Sequence, residues 1–156
     1  MLIPKIRNIS IVLVCVFALI QCVKDNNYLP YAKVDVDISL YPGLSGIGAS
    51  CSLIMLPTTD SYRGLNGLIL YRESTDVFKA YEMTCPYDTV LLTINNVKPY
   101  YLATDCKMTC TDSAVCPTCH SVYYLSLGGA KTKGPSRRNL KEYNVYADGN
   151  WLHISN

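Results

Sequence analysis

The stretch Val34-Asp35-Val36-Asp37-Ile38-Ser39-Leu40 alternates apolar and polar side chains without interruption. Because successive side chains of a β-strand point to opposite faces, this order places four apolar side chains on one face of a strand. The composition agrees, since the chain holds 13 Tyr and only 2 Phe and its Val, Ile and Thr favour half-buried pleated surfaces. Residues 34–40 therefore predict a strand within an all-β fold.

Short apolar segments separated by turn residues recur along the rest of the chain. We expect further strands at residues 51–56, 67–72, 77–83, 90–94, 100–103, 122–125, 140–147 and 151–154. Residues 73–76 predict a four-residue hairpin loop, and Asp148-Gly149-Asn150 predicts a turn between the last two strands. The sequence shows no internal repeat and no helical period that lasts three turns. Strand spacing of about 8 to 12 residues predicts a small antiparallel β sandwich or barrel.

Charge and histidine content argue against two classes of function. The formal net charge is only +2, and basic residues are dense only over 131–138, so we expect no nucleic-acid partner. That basic stretch predicts a solvated loop, with an anionic partner at this edge as the alternative. Only His120 and His153 are available for imidazole catalysis, and no catalytic triad pattern is present, so a stand-alone enzyme is not expected.

The N-terminus has the layout of an export signal. Lys5 and Arg7 precede an apolar run over residues 9–20, an order typical of a secretory signal peptide and too short to span a bilayer comfortably. The run ends in Leu19-Ile20-Gln21-Cys22, which resembles a lipobox in which Gln21 replaces the usual small residue. The resemblance implies that residues 1–21 are a signal peptide and that Cys22 is lipidated, with a plain secretory leader as the alternative.

Residues 22–33 follow as a short lipidated tether, whose polar beginning cannot bury apolar area. Its Lys24-Asp25 pair resembles the export signals of surface-exposed Bacteroidetes lipoproteins. We therefore expect a cell-envelope protein that is attached to the outer membrane through its N-terminal lipid, on the periplasmic or the outer side. Residues 34–156 would form one β domain, which is a common size for a single core.

Cysteine usage suggests either disulfides or a metal site. With Cys15 in the leader and Cys22 lipidated, six of the eight cysteines remain: Cys51, Cys85, Cys106, Cys110, Cys116 and Cys119. Disulfides are the default in an exported protein, and six thiols allow fifteen pairings. Cys116 and Cys119, however, have the two-residue gap with which thiolates on a tight turn bind one ion, and Cys85 with Cys106, or His120, would complete a zinc tetrahedron.

Two cysteine boxes carry a resemblance to a known family. Thr84-Cys85-Pro86-Tyr87-Asp88 and Cys116-Pro117-Thr118-Cys119-His120, followed by Gly128-Gly129 and Gly134-Pro135, resemble the landmarks of the Rieske-type [2Fe-2S] domain, in particular those of Rieske-like lipoproteins of Bacteroidetes. The resemblance implies a Rieske-type β sandwich or barrel over residues 34–156. The two cysteine positions of the family fall on Cys85 and Cys116, and its two histidine positions fall on Tyr87 and Cys119.

Loss of both histidines removes the imidazole ligands that define an ordinary Rieske cluster. We therefore expect a binding or structural module of the cell envelope, with loops pinned by disulfides, a degenerate iron–sulfur site and no certain cofactor. One alternative is a zinc-stapled domain that uses Cys85, Cys106, Cys116 and Cys119. The other is an electron-transfer protein with a [2Fe-2S] cluster on mostly Cys ligands, an oxidoreductase component with an envelope redox partner.

Overall fold

The structure, a computed structural model, describes residues 29–39, 44–54, 62–94 and 111–156. Over these ranges the chain is all-β, without a helix, so no described segment offers a helix that could cross a membrane. The strands are β1 (Val34–Ser39), β2 (Ser50–Ile54), β3 (Tyr62–Arg63), β4 (Gly67–Arg72), β5 (Phe78–Glu82), β6 (Thr93–Ile94), β7 (Ser113–Val115), β8 (Val122–Tyr124), β9 (Ala130–Lys133), β10 (Glu142–Asp148) and β11 (Trp151–Ser155). The leader, Cys22, most of the tether, Cys106, Cys110 and the expected strand at 100–103 lie outside the described residues.

The strands form two antiparallel sheets. Seven of them follow the order β2-β4-β5-β10-β11-β1-β3, and four short ones follow the order β6-β7-β8-β9. The smaller sheet is inserted in the chain between β5 and β10 of the larger one. β10 joins the two halves of the larger sheet, because its Glu142 and Tyr143 pair with β5 while residues 144–148 pair with β11. The expected all-β, antiparallel fold is confirmed.

The alternating stretch forms β1 as expected. Val34 and Val36 are buried and Asp35 and Asp37 are exposed, because β1 lies between β11 and β3 with one face on the core. The expected turn between the last two strands is also present, since Asp148 pairs with Trp151 across the hairpin. The left-handed backbone that this turn needs falls on glycine 149, with φ of 57°.

β4 is buried on both faces and separates two hydrophobic cores. Leu68 and Leu70 point into the first core, which is shared with β1 and β11. Ile69 and Tyr71 point into the second core, which the smaller sheet covers. This explains why β4 reads as a continuous apolar run, since a strand with two packed faces has no polar side. The second core extends to the two cysteine boxes.

Several strand boundaries differ from those expected. The segment 90–94 narrows to the two-residue β6, because Leu91 forms an isolated bridge with Thr84 instead of continuing the strand. The hairpin loop between β4 and β5 covers residues 73–77, since the backbone N–H groups of Glu73 and Ser74 both donate to the Val77 carbonyl, at 2.9 and 3.2 Å. β3, β7 and β9 were not anticipated, because they are short and partly polar.

Candidate metal centre

Loop A, residues 85–90, is a tight turn between β5 and β6. Cys85 N donates to Val90 O at 2.8 Å, and Thr89 N donates back to Cys85 O at 3.0 Å. Pro86 suits the start of such a turn, because its ring fixes φ and it has no N–H to satisfy. Thr89 has a φ of 59°, in the left-handed region that non-glycine residues rarely adopt. This conformation closes the loop.

Loop B, residues 116–121, repeats this backbone between β7 and β8. Cys116 N donates to Ser121 O at 2.9 Å, and His120 N donates to Cys116 O at 3.1 Å. His120 has a φ of 57°, at the position that Thr89 occupies in loop A. The two loops are therefore equivalent residue by residue, and Cys85 corresponds to Cys116.

The same equivalence places Asp88 of loop A where loop B has Cys119. Cys85, Asp88, Cys116 and Cys119 each contribute one atom to a group in which all four atoms lie within 4.8 Å of one another. Cys85 Sγ lies 3.7 Å from Cys119 Sγ, and Cys116 Sγ lies 3.3 and 3.2 Å from the two oxygens of Asp88. Three sulfurs and one carboxylate thus converge between the loops.

Within each loop, the first cysteine is more deeply buried than the candidate ligand three residues later. The cysteines that begin the loops, Cys85 and Cys116, are 0% exposed, whereas Asp88 and Cys119 are partly exposed. Cys119 N also donates to Cys116 Sγ at 3.4 Å, so loop B directs a backbone N–H at its own first sulfur. The group is anchored in the second core and reaches the surface through Asp88 and Cys119.

Neighbouring side chains hold the sulfurs in place. The Tyr123 hydroxyl lies 3.4 Å from Cys85 Sγ, and Ser121 Oγ lies 3.1 Å from Cys119 Sγ. Ser121 is itself covered by the Gly134-Pro135 turn. A Cβ on Gly134, whose φ is 88°, would lie 2.5 Å from the Ser121 Cα, so only glycine allows this close approach. The Gly134-Pro135 turn therefore packs directly against Ser121, the last residue of loop B.

Loop A is fixed at its base by a buried carboxylate. Glu82 is 0% exposed, and its Oε1 accepts hydrogen bonds from Thr84 N at 3.1 Å and Thr84 Oγ1 at 2.7 Å. Its Oε2 accepts from Leu65 N at 2.9 Å and from the Tyr143 hydroxyl at 2.7 Å. Since Thr84 directly precedes Cys85, this network ties loop A to β10 and to the turn before β4.

Burial and hydrogen bonding set the charge states of the group. Burial raises the pKa of the Cys85 and Cys116 thiols above the ordinary value, so they are protonated until an ion displaces their protons. Burial also raises the pKa of Asp88, but hydrogen bonds from the thiols of Cys116 and Cys85 outweigh it and leave that pKa below its usual range. The centre therefore holds a charged carboxylate, which attracts a cation, beside the protonated thiols of Cys85 and Cys116.

Three of the four cysteines predicted as metal ligands come together here: Cys85, Cys116 and Cys119. The fourth, Cys106, lies outside the described residues. His120 is exposed and is not in the group. Asp88 was not predicted as a ligand, although Cys-Pro-Tyr-Asp and Cys-Pro-Thr-Cys share their first two residues. The chain thus does contain a short repeat, visible once the two loops are superposed.

The oxidation state of the cysteines separates two parts of the molecule. Cys85, Cys116 and Cys119 are free thiols, so the structure does not pin the loops by disulfides among these three. Cys51, buried in the first core, is disulfide-bonded. Among the described residues, the disulfide-bonded cysteine and the three free thiols therefore lie in different cores.

The residues present do not fit the [2Fe-2S] cluster that the Rieske resemblance implies. Such a cluster divides its ligands between two irons, which holds the ligands of opposite irons further apart than those of a single ion. Here all four ligand atoms lie within 4.8 Å of one another. Tyr87, at one histidine position of the family, is 49% exposed and is not in the group. The geometry fits one ion.

Comparison of the chain with protein-family models, with curated proteins and with solved structures found no match.

Proposed function

We propose that this chain is a cell-envelope lipoprotein, lipidated at Cys22 and attached to the outer membrane, whose β domain is a binding or structural module of the Rieske type. A single zinc ion, held by Cys85, Asp88, Cys116 and Cys119, joins loops A and B where the family has its redox cluster. The ion would stabilise the loops and would not carry electrons.

The observation that carries this proposal is the spacing of the ligand atoms. With Zn–S bonds of about 2.3 Å, the sulfurs at two corners of a tetrahedron lie about 3.8 Å apart. The Cys85 and Cys119 sulfurs are 3.7 Å apart. The loops therefore already hold two ligand atoms at the separation that one tetrahedral ion requires. The ligand atoms of Asp88 and Cys116 lie within 4.8 Å of these two sulfurs and of each other.

The donor set supports zinc and a structural role. Thiolate sulfur and carboxylate oxygen are both common zinc ligands, and structural zinc sites are closed by four protein groups. Three thiolates and one carboxylate leave no position for a substrate or a reactive water. The layout around the loops supports kinship with the Rieske type, because the Gly134-Pro135 turn backs loop B and the β10–β11 hairpin follows it.

Metal analysis of the native protein tests the proposal. The mature lipoprotein, extracted from membranes without exposure to air, should contain close to one zinc per chain, little iron and no visible absorption. Two irons with visible absorption would support the electron-transfer alternative and overturn the zinc site. One iron would show that the ion is redox-active. A metal-free protein with a Cys85–Cys119 disulfide would show that no ion is held.

A matched pair of variants tests the role of the carboxylate. Asp88→Asn should weaken zinc binding by at least about tenfold, because the amide supplies no charge to the site. Asp76→Asn, an exposed residue in the loop between β4 and β5, should bind zinc as the parent does. Equal zinc affinity of both variants would exclude Asp88 as a ligand.

A further inference from the structure

A basic cleft lies beside loop A on the side of the domain where the N-terminal segment enters. It has a volume of about 360 Å³ and is lined by Leu29, Pro86, Arg137, Arg138, Asn139, Leu140 and Lys141. Three of these side chains are cationic, and none of the described lining residues is acidic. We propose that this cleft binds a phosphate headgroup at the membrane surface and so orients the anchored domain, an inference that rests on the proposed lipid anchor.

Two of the cationic side chains of the lining differ in exposure and in their contacts. Arg137 is exposed, and Lys141 is partly buried, with its ammonium group 4.9 Å from the centre of the Tyr143 ring and 5.7 Å from that of Tyr31. These aromatic contacts orient the Lys141 ammonium group. Phosphate recognition in proteins commonly uses such arginine and lysine donors.

The attachment point of the chain argues for the membrane as the source of the phosphate. Leu29, which is 5% exposed, lines the cleft, and the proposed lipidated residue, Cys22, is only seven positions earlier in the sequence. Seven residues span at most about 25 Å when fully extended. The cleft can therefore reach the headgroups, where cationic side chains are attracted to anionic lipid.

The size of the cleft also suits a headgroup. Its volume of about 360 Å³ is at the lower end of the range for small-molecule sites. Leu29, Pro86 and Leu140 give it apolar walls, which suit the glycerol carbons next to a lipid phosphate. A lipid phosphate with its neighbouring carbons would thus find both cations and apolar contacts.

Vesicle binding by a lipid-free protein tests the cleft. The mature chain with Cys22→Ser is titrated with phosphatidylglycerol vesicles, with phosphatidylcholine vesicles and with inorganic phosphate alone. We expect at least about tenfold preference for phosphatidylglycerol. The double variant Arg137→Gln/Lys141→Gln should bind these vesicles on the order of 30-fold more weakly, because two cations are lost near the surface.

The matched control is Lys131→Gln/Lys133→Gln, which removes the same charge from β9 outside the cleft lining. It should weaken binding by less than about threefold. Equal losses for the two double variants, or equal binding to both kinds of vesicle, would overturn the proposal. So would saturation by free phosphate at micromolar concentration, which would identify a soluble ligand. Thermal melts of each variant show whether the fold is retained.

A separate measurement distinguishes failure of the cleft from failure of the anchor. Cell fractionation and mass analysis compare the parent protein with Cys22→Ser. A parent that is soluble and carries no lipid would refute the lipoprotein proposal, whatever the vesicles show. Because the vesicle assay uses protein without a lipid, it reports on the cleft alone.

Discussion

Replacement of Glu82 by Gln tests whether the buried carboxylate network holds the base of loop A. The substitution changes one carboxylate oxygen to an amide nitrogen, which donates instead of accepting. If the amide nitrogen replaces Oε1, the backbone N–H of Thr84 faces another donor. If it replaces Oε2, the backbone N–H of Leu65 faces another donor. Neither backbone group can turn away, so a donor is left without an acceptor in either case, fully buried at Thr84 and partly buried at Leu65.

The cost follows from these contacts. An unsatisfied buried donor costs about 1–3 kcal/mol, and the surviving hydrogen bonds lose the charge assistance that makes them about twice as strong as neutral ones. We therefore expect Glu82→Gln to lower the free energy of unfolding by about 2–4 kcal/mol. That is a large share of the about 5–15 kcal/mol typical of a whole domain.

Urea unfolding followed by circular dichroism measures the change, provided that the slope of the transition stays constant between variants. The matched control is Glu142→Gln, which removes the same charge from an exposed ion pair with Lys79, at 2.8 Å. Such pairs contribute about 0–1 kcal/mol. A loss for Glu82→Gln no larger than that of the control would refute the reasoning that the network stabilises loop A.

Two further predictions concern the support of the loops and the disulfide. Gly134→Ala should weaken zinc binding in a competition titration, because the added Cβ would collide with Ser121 of loop B. Gly128→Ala is the control for backbone conformation, because Gly128 also has a positive φ, 66°, but has open space around it. Equal loss of zinc affinity in the two variants would exclude a role for the close approach at Gly134. Peptide mapping without reduction should recover Cys51 in a disulfide with a cysteine other than Cys85, Cys116 and Cys119, because these three are free thiols; recovery of Cys51 joined to any of the three would contradict this division.

The sequence predicted those strands that carry a clear local signal, such as alternation of apolar and polar residues, a long apolar run or a turn motif. β1 follows from strict alternation, β4 from an apolar run that is packed on both faces, and the β10–β11 hairpin from its Asp-Gly turn. β7 and β9 could not be found in this way. Their residues carry little apolar signal, and they are strands because β8 lies between them and supplies hydrogen bonds to both.

The candidate site was predicted in part for a similar reason. Cysteines are rare enough to stand out, so Cys85, Cys116 and Cys119 could be grouped from their spacing and from the Rieske resemblance. An aspartate is common on any surface, and Asp88 becomes notable only when loops A and B are seen to share one backbone. The role of Glu82 could not be predicted either, because its five hydrogen-bond donors belong to four residues in three separate parts of the sequence.

Because β4 is buried on both faces, neither sheet can be removed without exposing apolar surface. A shortened chain without residues 93–133 would expose Ile69 and Tyr71 and leave a broad apolar face in water, so the smaller sheet cannot be removed without making the remainder prone to aggregation. The smaller sheet should not fold by itself either, because it would lose the face of β4 against which it packs. Both halves should therefore unfold together in one cooperative transition, and a substitution that destabilises loops A and B should also lower the stability of the larger sheet.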